Sequence, residues 1–232
     1  MPEMKKTIIA TVIFLTTTCT GFINSINAQV ISLNKDNLVP HLVEMSIEKR
    51  NGKEMVRVVK SRLVIEADEP TYVKIKDFDF QDGTIELKVM GKLLPNASDS
   101  ARAFIGLSFR INNDDSKFEN IYLRPTNGIA MNQIRRNRSV QYFSYPDFKF
   151  FHSRKTNPGE FETYADIAPG EWIKMKIVVK GANAKLYLND SKNPNMIVNN
   201  MKMGADQTGA LGLWVDIGTE GFFSDLIVTK NK

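Results

Sequence analysis

The sequence predicts an all-β fold, two antiparallel sheets stacked as a sandwich. Apolar and polar residues alternate with period two over many short segments, and Gly, Pro, Asn and Asp separate those segments. No sustained 3.6-residue apolar repeat competes with that pattern after residue 28. Each such strand has one oily face to hide, and stacking two sheets hides both sets. With 232 residues, 42% hydrophobic and 25% charged, the composition is that of a core-forming chain, which excludes disorder and collagen-like repeats.

Taken in order, residues 1–28 read as a signal peptide. Lys5 and Lys6 supply a basic start, Thr7 to Phe22 carries no charge, and Ile26-Asn27-Ala28 ends on a small residue, so cleavage is expected after Ala28. Thr16, Thr17, Thr18, Thr20 and Asn24 dilute the apolar run, which argues against a permanent membrane span. Lipidation of Cys19 is the alternative, but Thr16-Thr17-Thr18 is a poor small-residue box. The expected address is periplasmic or extracellular. Cys19 is the only cysteine, so residues 29–232, read as a single domain, contain neither disulfide nor thiol nucleophile.

In that domain Val43, Met45 and Ile47 alternate with Glu44, Ser46 and Glu48. Asn51-Gly52 tolerates positive φ, and Met55 to Lys60 returns, which predicts a hairpin. Further strands are expected at Tyr72 to Ile75, Thr84 to Val89, Phe104 to Arg110, Asn120 to Arg124 and Val140 to Phe143. The last third adds Trp172 to Lys180, Ala184 to Asn189, Met196 to Val198, Ala210 to Val215 and Phe222 to Thr229.

The order of four segments there is more specific: Trp172-Ile173-Lys174-Met175-Lys176-Ile177-Val178, Ala184-Lys185-Leu186-Tyr187-Leu188-Asn189, Gly209-Ala210-Leu211-Gly212-Leu213-Trp214, and Gly221-Phe222-Phe223-Ser224-Asp225-Leu226-Ile227-Val228. This series resembles the closing strands of laminin-G-like and concanavalin-A-like jelly rolls, including bacterial domains grouped as 3-keto-disaccharide hydrolases. Tyr122-Leu123-Arg124-Pro125-Thr126-Asn127 through Arg135-Arg136-Asn137 to Gln141-Tyr142 resembles a subgroup of exported bacterial relatives. The resemblance runs from Phe78 to Val228. It implies a jelly roll and carries no particular reaction.

Charge concentrates in the middle of the chain. From Arg102 to Lys155 there are ten Lys or Arg against four acids; removing Lys5, Lys6 and Glu3 leaves residues 29–232 with 29 basic and 25 acidic residues, only +4. Most of these central cations are Arg, whose planar fork grips carboxylate, sulfate or phosphate at two points. Tyr122, Tyr142, Phe143, Tyr145, Phe148, Phe150 and Phe151 crowd the same stretch. Aromatic planes beside polar forks suit a sugar ring, apolar on its CH face and ringed by hydroxyls. The candidate binding residues are Arg110, Tyr122, Arg124, Asn127, Gln133, Arg135, Asn137, Gln141, Tyr142 and Tyr145. The competing reading makes Tyr142 a core aromatic and the Arg135-Arg136-Asn137-Arg138 run a solvated loop.

The expected function is therefore an exported carbohydrate-binding protein, its ligand bearing anionic or strongly hydrogen-bonding groups. A glycan-cleaving enzyme of the same fold is the alternative, either a glycoside hydrolase or an enzyme that hydrolyses or eliminates on a keto-sugar. The Glu-x-Asp-x-Glu triplet of related glucanases is absent. Glu66-Ala67-Asp68-Glu69-Pro70 reads as a turn, Glu160-Phe161-Glu162 places two acids on one face, and His152 is a candidate base of an eliminating mechanism. No catalytic residue is assigned. Nucleic acid is not an expected partner, because an export signal and a charge of +4 offer little contact or pull. No cofactor is expected. Asn112-Asn113-Asp114-Asp115 has the oxygens of a structural calcium loop but reads first as a hairpin turn. Trp172 and Trp214 read as packing residues rather than a sugar floor.

Overall fold

The computed structural model describes residues 28–50 and 52–231. The expected signal segment up to residue 27 and Asn51 of the expected hairpin turn lie outside the described residues. Among the described residues, fifteen strands build two antiparallel sheets. They are β1 Ala28–Val30, β2 Leu38–His41, β3 Val43–Arg50, β4 Lys53–Lys60, β5 Tyr72–Ile75, β6 Gly83–Leu93, β7 Ile105–Ile111 and β8 Phe118–Leu123, followed by β9 Val140–Tyr145, β10 Glu162–Thr163, β11 Ile173–Lys180, β12 Asn183–Leu188, β13 Met196–Val198, β14 Ala210–Val215 and β15 Thr219–Lys230. Three short helices, α1 Pro125–Gly128, α2 Gln133–Arg136 and α3 Phe150–Thr156, lie on either side of β9 in the chain.

The first sheet has the order β13-β12-β11-β6-β15-β4-β3, with β1 also paired to β15; the second runs β10-β9-β8-β7-β14-β5-β2. This is the predicted two-layer sandwich, and the strand positions follow the period-two pattern closely. The predicted Tyr72–Ile75, Met196–Val198 and Ala210–Val215 segments are found with those limits. The core between the sheets takes the inward set from each side: Val56 and Val58, Ile85, Leu87 and Val89, Ile173 to Val179 at every second residue, and opposite them Leu107, Ile121, Val140, Leu213 and Val215. Alternation works here because successive side chains on a strand point to opposite faces.

The second sheet is unusual in hiding its other face as well. Tyr72, Phe118, Tyr122, Phe143 and Trp214 form a separate aromatic layer there, all essentially without solvent contact. Tyr122 packs against Trp214 at 4.8 Å and Phe143 at 5.7 Å between ring centroids. Gly106 and Gly212 make room beneath these rings; a Cβ on Gly106 would collide with the backbone of Ile121 and Tyr122. Residues 61–71 and the segment leading into α3 pin themselves over this layer. The Glu69 carbonyl accepts the Trp214 indole N–H at 2.8 Å, the Glu69 carboxylate pairs with Lys149, and Phe150 N donates to Asp68 at 2.9 Å. These loops create the walls of the site described next.

Candidate functional site

At one end of the aromatic layer the covering loops leave a cavity of about 330 Å³. Its lining brings together residues distant in sequence: Ile65, Ala67 and Asp68; Ser100, Arg102 and Phe104; Tyr122, Arg124 and Asn127; Arg135 and Arg138; Phe150 and Arg154; Asp216 and Ile217. Five arginines therefore face one hollow, with Tyr122 and two phenylalanines.

The floor is a fully satisfied network. Arg124, just beyond β8, is 4% exposed; its guanidinium donates to the Tyr122 hydroxyl, to Gln141 Oε1 at 3.3 Å, to the Arg138 carbonyl at 3.3 Å and to Glu162 at 3.2 Å. Glu162 on β10 also receives Arg154 at 2.9 Å and lies 3.4 Å from Arg138. Beside this cluster, Asp216 accepts from the Asp68 N–H at 3.1 Å and from Ile217 N at 2.7 Å, and it pairs with the buried Lys60. Asp68 sits at φ 56°, the left-handed region that a turn Asp tolerates. Burial pushes its carboxyl up to about 6, with the Asp216 charge adding to the rise and Phe150 N, Arg124 and Tyr122 opposing it. Burial likewise holds the Tyr122 hydroxyl well above its ordinary range, so it remains a neutral phenol.

The walls are different. Arg102 donates only to the carbonyls of Asp99 and Ala101, and Arg135 only to Asn127 Oδ1 at 3.4 Å. Neither has a carboxylate partner among the described residues. Burial lowers the pKa of Arg102, and the charges of Arg135 and then Arg124 lower it further. Two like charges are thus held at one cavity with neither in an ion pair among the described residues, the nearby Asp99 charge alone acting in the opposite direction on Arg102. Arg154 lies 4.8 Å over the Phe150 ring, which fixes both side chains in the wall.

Of the ten sequence-predicted residues, Tyr122, Arg124, Asn127 and Arg135 line this cavity. Gln141 lies beneath it, buried, as the acceptor that orients Arg124. The other five are elsewhere. Arg110 is 0% exposed; a bulge places two β7 residues opposite Leu211, Arg110 takes φ 55°, and its side chain donates to Asp82, Gly181 O and Gly204 O. Tyr142 points into the main core, where its hydroxyl donates to Glu119 at 2.6 Å and accepts Lys202 N at 2.7 Å. Tyr145 stacks on Phe118 at 5.1 Å and spends its hydroxyl on Glu69. Gln133 on α2 and Asn137, which caps that helix at its C-terminus, are exposed and bond to each other at 2.7 Å. Period two explains this separation: Gln141 and Tyr142 are neighbours in sequence and lie on opposite faces of the sheet.

Sequence reasoning missed Asp68, Arg102, Phe104, Phe150, Arg154, Asp216 and Glu162 as parts of one site. The only available signal was the local excess of Arg, and nothing local ties Asp216 to residue 68. Glu160 is exposed and bonded to Asn157, so Glu160 and Glu162 do not work as a pair. His152 Nδ1 accepts Lys149 N at 3.2 Å at the start of α3. The Asn112–Asp115 stretch is the β7–β8 turn: Asp115 is occupied by Tyr72, Lys74 and His41, and Asp114 by Ser116. Trp214 is buried as packing, whereas Trp172 is 40% exposed. It borders a hollow of about 540 Å³ on the outer face of the first sheet, next to another of about 560 Å³. Those hollows are larger, but their shared cations, Lys88 and Lys174, are already paired with Asp225 and Asp190.

No protein-family model and no curated protein matches this chain. Among solved structures it is similar to a protein provisionally called a glycosyl hydrolase from Parabacteroides distasonis, at 15% identity over 88% of this chain and 100% of that one, with a TM-score of 0.51. It is also similar to the carbohydrate-binding module CBM66 from Bacillus subtilis, at 13% identity over 83% and 96%, TM-score 0.50. A third likeness is to a Bacillus subtilis protein of unknown function with a galectin-like fold, at 9% identity over 84% and 90%, TM-score 0.50. At these identities the likeness is one of architecture, and on that ground the chain has the two-sheet β-sandwich jelly-roll fold of these lectin-like structures.

Proposed function

We propose that this chain is an exported protein that binds the end of a carbohydrate carrying an anionic group, in the arginine cavity. The observation that carries the reading is the pair Arg102 and Arg135, two guanidinium groups at one hollow with no carboxylate of their own. A carboxylate or sulfate between them relieves their repulsion and accepts two forked sets of hydrogen bonds. Phe104 and Phe150 offer ring faces for the sugar, and Ser100 and Asn127 offer polar atoms for its hydroxyls. A volume of about 330 Å³ is at the small end of ligand sites, which fits one sugar residue and its substituent. Sandwiches of this architecture include the carbohydrate-binding module named above, which supports the ligand class.

Isothermal titration with a glucuronate-ended oligosaccharide and its uncharged glucose counterpart tests this. Arg135→Ala and Arg102→Ala are each expected to lower affinity for the acidic sugar by about tenfold or more, the size of a charged hydrogen bond, with an unchanged circular dichroism spectrum. Equal affinity for the acidic and neutral sugars, or no effect of either substitution, removes the site. Export is tested by N-terminal sequencing of the secreted product, expected to begin at Gln29. Cleavage there leaves Gln29 and Val30 of β1 on β15.

A second reading, a glycan-cleaving enzyme, rests on Asp68 and Asp216. Both line the same cavity, and their environments differ: Asp216 accepts from Lys60 and from backbone N–H groups, while burial raises the Asp68 carboxyl to about 6. Product formation from an acidic oligosaccharide, abolished by Asp68→Asn, would favour it; binding without turnover favours the first.

A further inference from the structure

Three of the chain segments that line the arginine cavity also carry exposed apolar side chains. Leu63 is 92% exposed and Ile65 77% in the loop between β4 and β5; Met131 is 100% exposed, with Ile129 and Ile134 also exposed, around α2; and Phe151 is exposed on α3. Each segment contributes a lining residue too: Ile65, Arg135 and Phe150. A soluble protein rarely leaves such a group of large apolar side chains without a partner.

Charge identifies the partner. Residues 61–66, 129–138 and 149–155 contain seven Lys or Arg and one acid, the exposed Glu66; Arg138, Lys149 and Arg154 are paired with Glu162 and Glu69, while Arg62, Arg135, Arg136 and Lys155 are in no ion pair among the described residues. Apolar side chains that project beyond a basic surface match the boundary of an anionic lipid leaflet, where the apolar groups enter the headgroup region and the cations meet its charge. A protein partner would match the apolar groups equally well, but the excess of cations in no ion pair over the single exposed acid across three separate segments favours a surface of negative sign. No described helix is long and apolar enough to cross a membrane.

We propose that the mouth of the cavity docks on a lipid surface, presenting the arginine cavity to the acidic sugar headgroup of a glycolipid. The identity of the headgroup rests on the carbohydrate reading above; the docking rests on the exposed rim.

Co-sedimentation of the chain from Gln29 onward separates the two. Phosphatidylcholine vesicles containing a glucuronosyl diacylglycerol are expected to bind about tenfold or more tightly than the free glucuronate-ended oligosaccharide, since burial of one or two apolar side chains gives that factor. The double variant Leu63→Ser with Met131→Ser, neither of which lines the cavity, should bring vesicle affinity down to that of the free sugar and leave free-sugar affinity unaltered. Equal affinity of the unsubstituted protein for vesicle and free sugar overturns the docking, as does a double variant that binds vesicles undiminished. Concentration-dependent self-association abolished by the same variant in the absence of lipid also overturns it, by assigning the rim to a second copy. Rim-dependent vesicle binding without any free-sugar binding supports docking and sinks the sugar reading alone.

Discussion

Arg110 and Arg135 are the same side chain in the same basic stretch, and their surroundings give them opposite uses. Arg110 is sealed at the end of the sandwich with Asp82 and four backbone carbonyls, so Arg110→Ala strips partners from those acceptors. It is expected to cost about 3 kcal/mol or more in urea denaturation while leaving sugar affinity intact. Arg124→Ala should behave similarly in stability, because it removes the counter-charge that Glu162 shares with Arg138 and Arg154; Arg135→Ala should not. Asp68 gives a pH signature. Its carboxyl titrates at about 6 in the folded chain against an ordinary 3.8, so between those values the folded state holds the extra proton. Stability from this group is therefore full below about pH 3.8 and is lost as pH rises through about 6, by about 3 kcal/mol. The pH dependence of unfolding should differ between the unsubstituted protein and Asp68→Asn over that window by this amount; superimposable profiles would refute it. Arg abundance was legible in the sequence. Which guanidinium lacks a partner was not, because partners such as Asp82 and Glu162 lie 28 and 38 residues away.

At the scale of elements, the period-two strands were legible because each buries one face, and hydrophobic alternation is the direct imprint of that requirement. The strands that escaped notice have little of this imprint. β1 is exposed along its three residues, β2 includes Pro40 at the edge of its sheet, and β10 has only two residues. The aromatic layer on the second sheet was hidden for a related reason: β7 and β8 are buried on both faces, so alternation does not reveal that Phe118 and Tyr122, the latter expected at a binding surface, pack into a second buried layer. Gly106 is the element-level test. A methyl there pushes β8 and Tyr122 outward, and Gly106→Ala is expected to lose about 1–3 kcal/mol of stability, the usual cost of overpacking. It should also weaken acidic-sugar binding, because Tyr122 and Arg124 form the cavity floor. Retained stability would show that the second layer tolerates slack.

For the molecule as a whole, the net charge of residues 29–232 is only +4, yet the field is local. Five arginines meet at the cavity while Asp216 is neutralised by Lys60 and Glu162 serves three of the five. Binding of an acidic sugar should therefore weaken as ionic strength rises from about 0.01 to 0.15 M, where the screening length falls from about 30 to 8 Å. The neutral sugar should show no such trend. By itself the sequence determined the all-β sandwich and the concentration of arginine and aromatic residues in the central third, since both are written in local pattern and composition. Only the tertiary structure decided which of those residues share a cavity. Strand alternation sends neighbours such as Gln141 and Tyr142 to opposite faces, and sheet order brings Asp68, Arg102, Arg135 and Asp216 together from four distant segments.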